Sequence, residues 1–221
     1  MNVFDAIRQR HSTRAFIDKD VAIEKINRIL DIARYSPSGA NTQPWQVAVV
    51  SGDSKNKLQS TIERAFQSGE PSQISYKYYP VNWKPIYKER RQLCGLQLYQ
   101  SLGIQRADSD ARKAQWAANY RCFDAPIMLL FFIDKEMETG SFLDYGMLLQ
   151  SIMLAAIEEG LATCPQAALA EYPQIVQKAL GYSDDMTLIC GMALGYEDLE
   201  ADVNKYRTPR ESVDNFTQYF D

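Results

Sequence analysis

Histidine is almost missing from this sequence: His11 stands alone among 221 residues. The four cysteines, Cys94, Cys122, Cys164 and Cys190, are widely spread and no two have CxxC spacing. One histidine and scattered thiols make no structural zinc set, so no metal is expected. The cysteines read as reduced thiols of a cytoplasmic protein. The opening "MNVFDAIRQR" lacks the long apolar stretch of a signal peptide and has Asp5 inside it. The greasiest run, "YGMLLQSIMLAAI" (145–157), is 13 residues long and interrupted by Gln150 and Ser151. It is too short to span a bilayer and reads as a buried helix. Excess positive charge is missing too. The net charge is −4, so neither nucleic acid nor an anionic membrane is an expected partner. There is no internal repeat, no low-complexity segment and no glycine-rich dinucleotide fingerprint.

What remains is an alternation of helical and strand patterns. Residues 2–9 predict a short helix. In 23–36, Ile23, Ile26, Ile29, Leu30 and Ala33 recur at helical spacing, and Pro37 and Gly39 end the pattern. A strand is predicted over 45–52 and an amphipathic helix over 54–68, with Ser54 as its cap. "PIMLLFFID" (126–134) predicts a central strand buried on both faces. A helix apolar nearly all round follows over 141–160, and such a helix must be covered on every side. It is core of the domain, core of a dimer, or both. A short helix over 172–182 ends at Gly181, and 187–196 is another buried strand. Residues 70–121 form an excursion rich in Tyr, Trp and Pro, with helices at 86–103 and 109–120. The pattern argues for one α/β or α+β sandwich domain over 1–221, with a polar tail from 197 to 221.

Three segments carry candidate chemistry. "RQRHSTRAF" (8–16) packs Arg8, Arg10 and Arg14 around His11, Ser12 and Thr13. Guanidinium groups match phosphate oxygens bidentately, and hydroxyls and backbone N–H groups fill the remaining acceptors. "SPSGANTQPW" (36–45) supplies small residues with Asn41 and Gln43, a loop that can approach a flat polar ligand closely. "YRTPRESVDNF" (206–216), after Lys205, clusters Lys205, Arg207 and Arg210 in an acidic tail. Each alone also fits an ordinary surface: a solvated helix end, a plain connection, and exposed ion pairs of little consequence.

Taken in order, with "EEGLATCPQAAL", "GMALGY" and the basic tail, these segments resemble the FMN-dependent nitroreductase family over nearly the whole chain. The resemblance implies a homodimer of α+β fold, a three-layer sandwich with a central mixed sheet flanked by helices and a helical lid excursion, with FMN at the subunit interface. It implies that Arg10, Ser12 and Arg14, with His11 in the same segment, hold the phosphate and ribityl chain. Pro37, Ser38, Gly39 and Asn41 match the loop that reaches FMN from the other subunit. Asn119 matches an asparagine on the flavin's pyrimidine edge, and Arg121 falls near a family lysine there. Pro165, Gln166 and Ala167 match the loop over the flavin near N5. Lys205 and Arg207 match the tail cations at the phosphate, and Arg210 competes with them. The isoalloxazine then does the chemistry, so no catalytic side chain is expected.

Between residues 77 and 121 the sequence carries nine Lys/Arg against three Asp/Glu, a local charge of +6. This basic, aromatic lid suits either a flat anionic substrate or exposed helix faces. Tyr87, Arg90, Arg91 and Arg121 are the candidate substrate residues. The expected activity is NADH- or NADPH-dependent reduction of a small nitroaromatic substrate, nitrobenzoate-like, by a ping-pong scheme. Two alternatives stand beside it: reductive dehalogenation of halogenated phenols, as in the iodotyrosine-deiodinase-like branch, and flavin storage or redox sensing without turnover.

Overall fold

The structure, a computed structural model, describes all of residues 1–221. Its elements run α1 (Val3–Gln9), α2 (Ile23–Ala33), β1 (Gln46–Ser51), α3 (Gly52–Ser68), α4 (Pro85–Ser101), α5 (Ser109–Ala117), β2 (Ile127–Asp134), α6 (Gly140–Glu158), β3 (Ala162–Gln166), α7 (Pro173–Leu180), β4 (Met186–Gly195) and α8 (Asp202–Lys205).

The run in β2 organises the molecule. Every residue from Ile127 to Ile133 is buried, and the strand's period of two sends alternate side chains to opposite faces. Met128, Leu130 and Phe132 join Leu58 and Ile62 of α3 and Val176 of α7 in one core. Ile127, Leu129, Phe131 and Ile133 join Ile26 and Ile29 of α2 and Leu148 and Ile152 of α6 in the other. The result is three layers, helices on both sides of one sheet. At Gly191 of β4 a Cβ would come within 2.3 Å of the Leu169 side chain, so only glycine admits that close packing.

The strand order is β1-β2-β4-β3. All three pairings are antiparallel, which corrects the mixed sheet expected from the resemblance. The unbroken apolar runs of β2 and β4 come from helices covering both faces, and not from parallel pairing. The one parallel contact is an isolated bridge between Ser12 and Thr163.

Apart from α8, a four-residue helix in the tail where no element was expected, the other helices and strands lie close to where the pattern puts them. Two differences have local causes. α3 starts at Gly52 behind Ser51, so Ser54 lies inside the helix and caps nothing. β3 was not expected at all; it is a five-residue edge strand, and Pro165 is tolerated because the edge needs no donor there. α6 is long and apolar enough, by length and composition, to cross a membrane. Here it packs on α2 and the sheet, yet Leu143 remains 75% exposed and Met147 39%. One face of the helix is therefore not covered within a single chain.

Candidate functional site

α1 ends at Arg10, whose N–H closes on the Ala6 carbonyl. The chain then runs extended along the free edge of β3: Ser12 bridges Thr163, and the Thr13 N–H donates to the Thr163 carbonyl at 3.0 Å. Period-two alternation buries Thr13 and turns Ser12 and Arg14 the other way.

The tail meets this segment through Asn204. Its side-chain oxygen accepts the Arg14 N–H at 2.8 Å, and its amide donates to the Ala15 and Asp198 carbonyls, each at 2.8 Å. Asn204 is 2% exposed and all of these bonds are local to the junction. Arg14 reaches the Tyr206 hydroxyl at 3.4 Å, and Arg207 donates to the Asn204 carbonyl at 2.6 Å. The fold thus joins the two basic clusters from opposite chain ends. Burial, and then the neighbouring Arg210 charge, push the Arg10 guanidinium below its ordinary value. Neither Arg10, Arg14, Arg207 nor Arg210 has a carboxylate within 4 Å. Lys205 differs: it pairs with Asp202 at 3.0 Å and is turned to solvent.

His11 braces the segment. Its Nδ1 lies 3.0 Å from the Gln9 carbonyl and its Nε2 2.9 Å from the Glu197 carboxylate. Both ring nitrogens face acceptors, so the ring offers no free nitrogen to a ligand. Phe123 lies beneath Arg14, 6.0 Å from guanidinium carbon to ring centroid. It sits in a turn in which Cys122, Phe123 and Asp124 all have positive φ, at 55°, 51° and 61°. Three consecutive non-glycine residues in the left-handed region are strained, and such strain gathers at functional sites.

At the far end of β3, Asn119 and Gln166 come together. The Gln166 amide donates to the Asn119 carbonyl at 2.8 Å and to its side-chain oxygen at 3.2 Å. The Gln166 side-chain oxygen is buried with no partner, as is the Thr163 hydroxyl. Pro165 is exposed beside them, and Ala167 begins a short 3-10 turn. Gln166 stands three steps along the strand from Thr163, about 10 Å.

The 37–43 loop is built differently. Pro37 is exposed; the Ser38 hydroxyl accepts the Gln43 N–H at 2.9 Å. The Gly39 N–H donates to the buried Asp144 carboxylate of α6. Ala40, Asn41 and Gln43 all have positive φ. This loop leads into β1, the edge opposite β3. Four strands place those edges about 14 Å apart. Within one chain the loop and the arginine cluster therefore stand on opposite sides.

The four candidate lid residues separate. Arg90 pairs with Glu211 at 3.1 Å and lies over Tyr87. Arg91 lies over both Tyr79 and Trp83. Arg121 is not with them: it is tied to Glu63 of α3 at 2.6 Å and to Asp124 at 3.1 Å. Sequence reasoning missed Asn204, Tyr206, Glu197, Phe123 and Asp144. Each is a single residue with no periodic signal; Tyr206 opens the tail motif, Asn204 precedes Lys205, and Glu197 follows the GMALGY strand.

A family model described as Nitroreductase family matches residues 7–196. A 4-nitrobenzoate reductase from Pseudomonas putida is 36% identical, the match covering 98% of this chain and 95% of that protein. The crystal structure of the FMN and NADPH-dependent nitroreductase NfnB from Sphigopyxis sp. strain HMH superposes with a TM-score of 0.97 at 39% identity, covering all of both chains. An iodotyrosine dehalogenase 1 homolog from Caenorhabditis elegans is 24% identical, with 61% of its length covered. On the family match and these identities, the chain belongs to the nitroreductase family.

Proposed function

We propose that this protein is an FMN-dependent, NADPH-oxidising nitroreductase acting on small nitroaromatic compounds. The observation that carries the reading is the group of four arginines, Arg10, Arg14, Arg207 and Arg210, gathered at one strand edge without a carboxylate among them. A partly buried cluster of like charge calls for an anion.

The residues fit FMN. The arginines and the Ser12 hydroxyl would hold the phosphate. Gln166 and Asn119 stand about 10 Å along β3, a separation that a five-carbon ribityl chain bridges. The unpartnered Gln166 oxygen is a buried acceptor for a ring N–H. When bound, FMN supplies the two-electron chemistry that carries reducing equivalents from the nicotinamide to a nitro group. The chain's own residues bind, orient and shield. Phe123 fixes the Arg14 plane, His11 and Asn204 lock the phosphate segment to the tail, and the Asn119–Gln166 pair presents donors and an acceptor at one ring edge. With no dinucleotide-binding motif in the sequence, one pocket serves NADPH and the nitroaromatic in turn.

Two chains complete the site in this reading. The 37–43 loop of one protomer supplies the second wall above the arginine cluster of its partner. Exposed apolar residues support it: Phe4 of α1, Leu143 of α6 and Phe220 of the tail are 74%, 75% and 87% exposed. The excursion at about 70–121 acts as the lid of the single domain, and the tail from about 197 embraces the partner. The four free cysteines suit a reducing cytoplasm. The much stronger likeness to nitroreductases decides against dehalogenation and against a storage role.

The test is the visible spectrum of the purified protein. A bound-flavin spectrum that bleaches anaerobically with NADPH and returns on adding 4-nitrobenzoate supports the reading. A colourless protein that takes up no FMN overturns it.

A further inference from the structure

Of the cations on the lid, three are candidates for meeting an anionic ligand, and the structure treats them differently. Arg90 is neutralised by Glu211, and Arg121 by Glu63 and Asp124. Arg91 has neither a carboxylate within 4 Å nor a hydrogen bond. Instead its guanidinium carbon lies 5.2 Å from the Tyr79 ring centroid and 5.2 Å from that of Trp83. The two rings hold the exposed guanidinium by cation–π attraction, while leaving its N–H donors uncommitted. That is a charged group already ordered for a bidentate oxyanion, so less entropy is lost when one arrives.

The mounting is firm. Trp83, Tyr79, Tyr78, Tyr76 and Phe142 form a chain of rings with centroid separations of 5.5, 4.6, 6.3 and 5.4 Å. It runs from the start of α4 back to α6, and the Tyr76 hydroxyl is fixed on the Ile189 carbonyl of β4. The position is also right. Arg90, the next residue, pairs with Glu211, which follows directly on Arg210 of the phosphate cluster. That pair, with the packing of α4 against α8, brings the lid helix beside the cluster, and Arg91 is the next residue on that helix.

We infer that Arg91, held against the paired Tyr79 and Trp83 rings, is the oxyanion-binding subsite of the ligand site and selects aromatic ligands that carry a carboxylate or phosphate. The inference rests on the flavin-site reading above. Two ligands offer this chemistry: a nitrobenzoate-class substrate, and the phosphate that distinguishes NADPH from NADH.

The experiment is calorimetric titration of the holoenzyme, wild type and Arg91→Gln, with 4-nitrobenzoate and with 4-nitrobenzyl alcohol. A parallel arm compares NADPH with NADH by the rate of anaerobic bleaching. The wild type is expected to bind nitrobenzoate ~10-fold more tightly than the alcohol. Arg91→Gln is expected to abolish that preference while leaving alcohol binding unchanged, and Arg91→Lys to restore it only in part, for want of the bidentate fork. Collapse of the NADPH preference instead assigns the subsite to the dinucleotide phosphate. If Arg91→Gln leaves both preferences within twofold of wild type, the inference is overturned. Binding preference and turnover are separate readouts. A preference that depends on Arg91, without nitro reduction, leaves the subsite standing and removes the reaction. Nitro reduction with preferences indifferent to Arg91 does the reverse.

Discussion

The backbone N–H of Gly39 donates to the Asp144 carboxylate at 3.1 Å, and Asp144 is only 7% exposed. This one bond ties the 37–43 loop to α6. The loop needs the tie, because Ala40, Asn41 and Gln43 are held in the left-handed region that disfavours side chains. Asp144→Ala is expected to lower stability by about 1–3 kcal/mol and to weaken FMN binding. Asp144→Asn keeps an acceptor oxygen and should recover most of both. Thermal denaturation and FMN titration measure the two effects separately. Equal losses in the Ala and Asn variants would mean that the charge, and not the bond to Gly39, is what counts.

Asn204 joins the beginning of the chain to its tail with two hydrogen bonds, to the Arg14 N–H and the Ala15 carbonyl, and donates a third within the tail to Asp198. Asn204→Leu leaves the Arg14 N–H and the Ala15 carbonyl unpartnered at a buried junction. A loss of about 2–4 kcal/mol is expected from unsatisfied groups of this kind. FMN affinity should fall as well, since Arg14 and Arg207 are both aligned through this residue. Denaturant midpoints and FMN titration of the variant check it. Wild-type stability would show that the tail is held elsewhere.

Tyr120 donates to Glu171 at 2.5 Å. Burial raises the Glu171 carboxyl above its ordinary range, and the Tyr120 bond only partly offsets this. A raised folded value means that the folded protein holds this proton more tightly than the unfolded chain. Stability from Glu171 is therefore lost as pH rises through the folded value. Glu171→Gln should melt at a higher temperature than wild type at pH 7. The gap should close as pH falls towards 4.5, the group's ordinary value. Melting curves across pH 4.5–8 measure it, and a variant less stable than wild type at pH 7 would contradict the account.

Much of this was legible in the sequence, and the exceptions have physical reasons. β2 could be read because seven consecutive buried residues leave no other interpretation. β3 could not, because five residues with a proline at an edge carry no alternation. Strand direction could not either, since covered faces look alike in both senses. The basic segments are visible as charge, but pairing is not: Lys205 and Arg207 carry the same charge, and the fold pairs only Lys205 with a carboxylate, that of Asp202. Arg121 likewise meets Asp124 three residues on and Glu63 far away in sequence. Buried anchors such as Asn204 and Asp144 are single polar residues, and only the fold shows what they hold.

In the proposed reading the arginines at the β3 edge hold a phosphate. Titrating the apo-protein with FMN and with riboflavin, which differ only in that group, tests it most directly. Each charge-assisted hydrogen bond to the phosphate contributes about 1.5–3 kcal/mol. FMN should therefore bind at least ~100-fold more tightly than riboflavin, and Arg10→Ala or Arg14→Ala should erase most of the difference. Equal affinity for FMN and riboflavin would contradict the account.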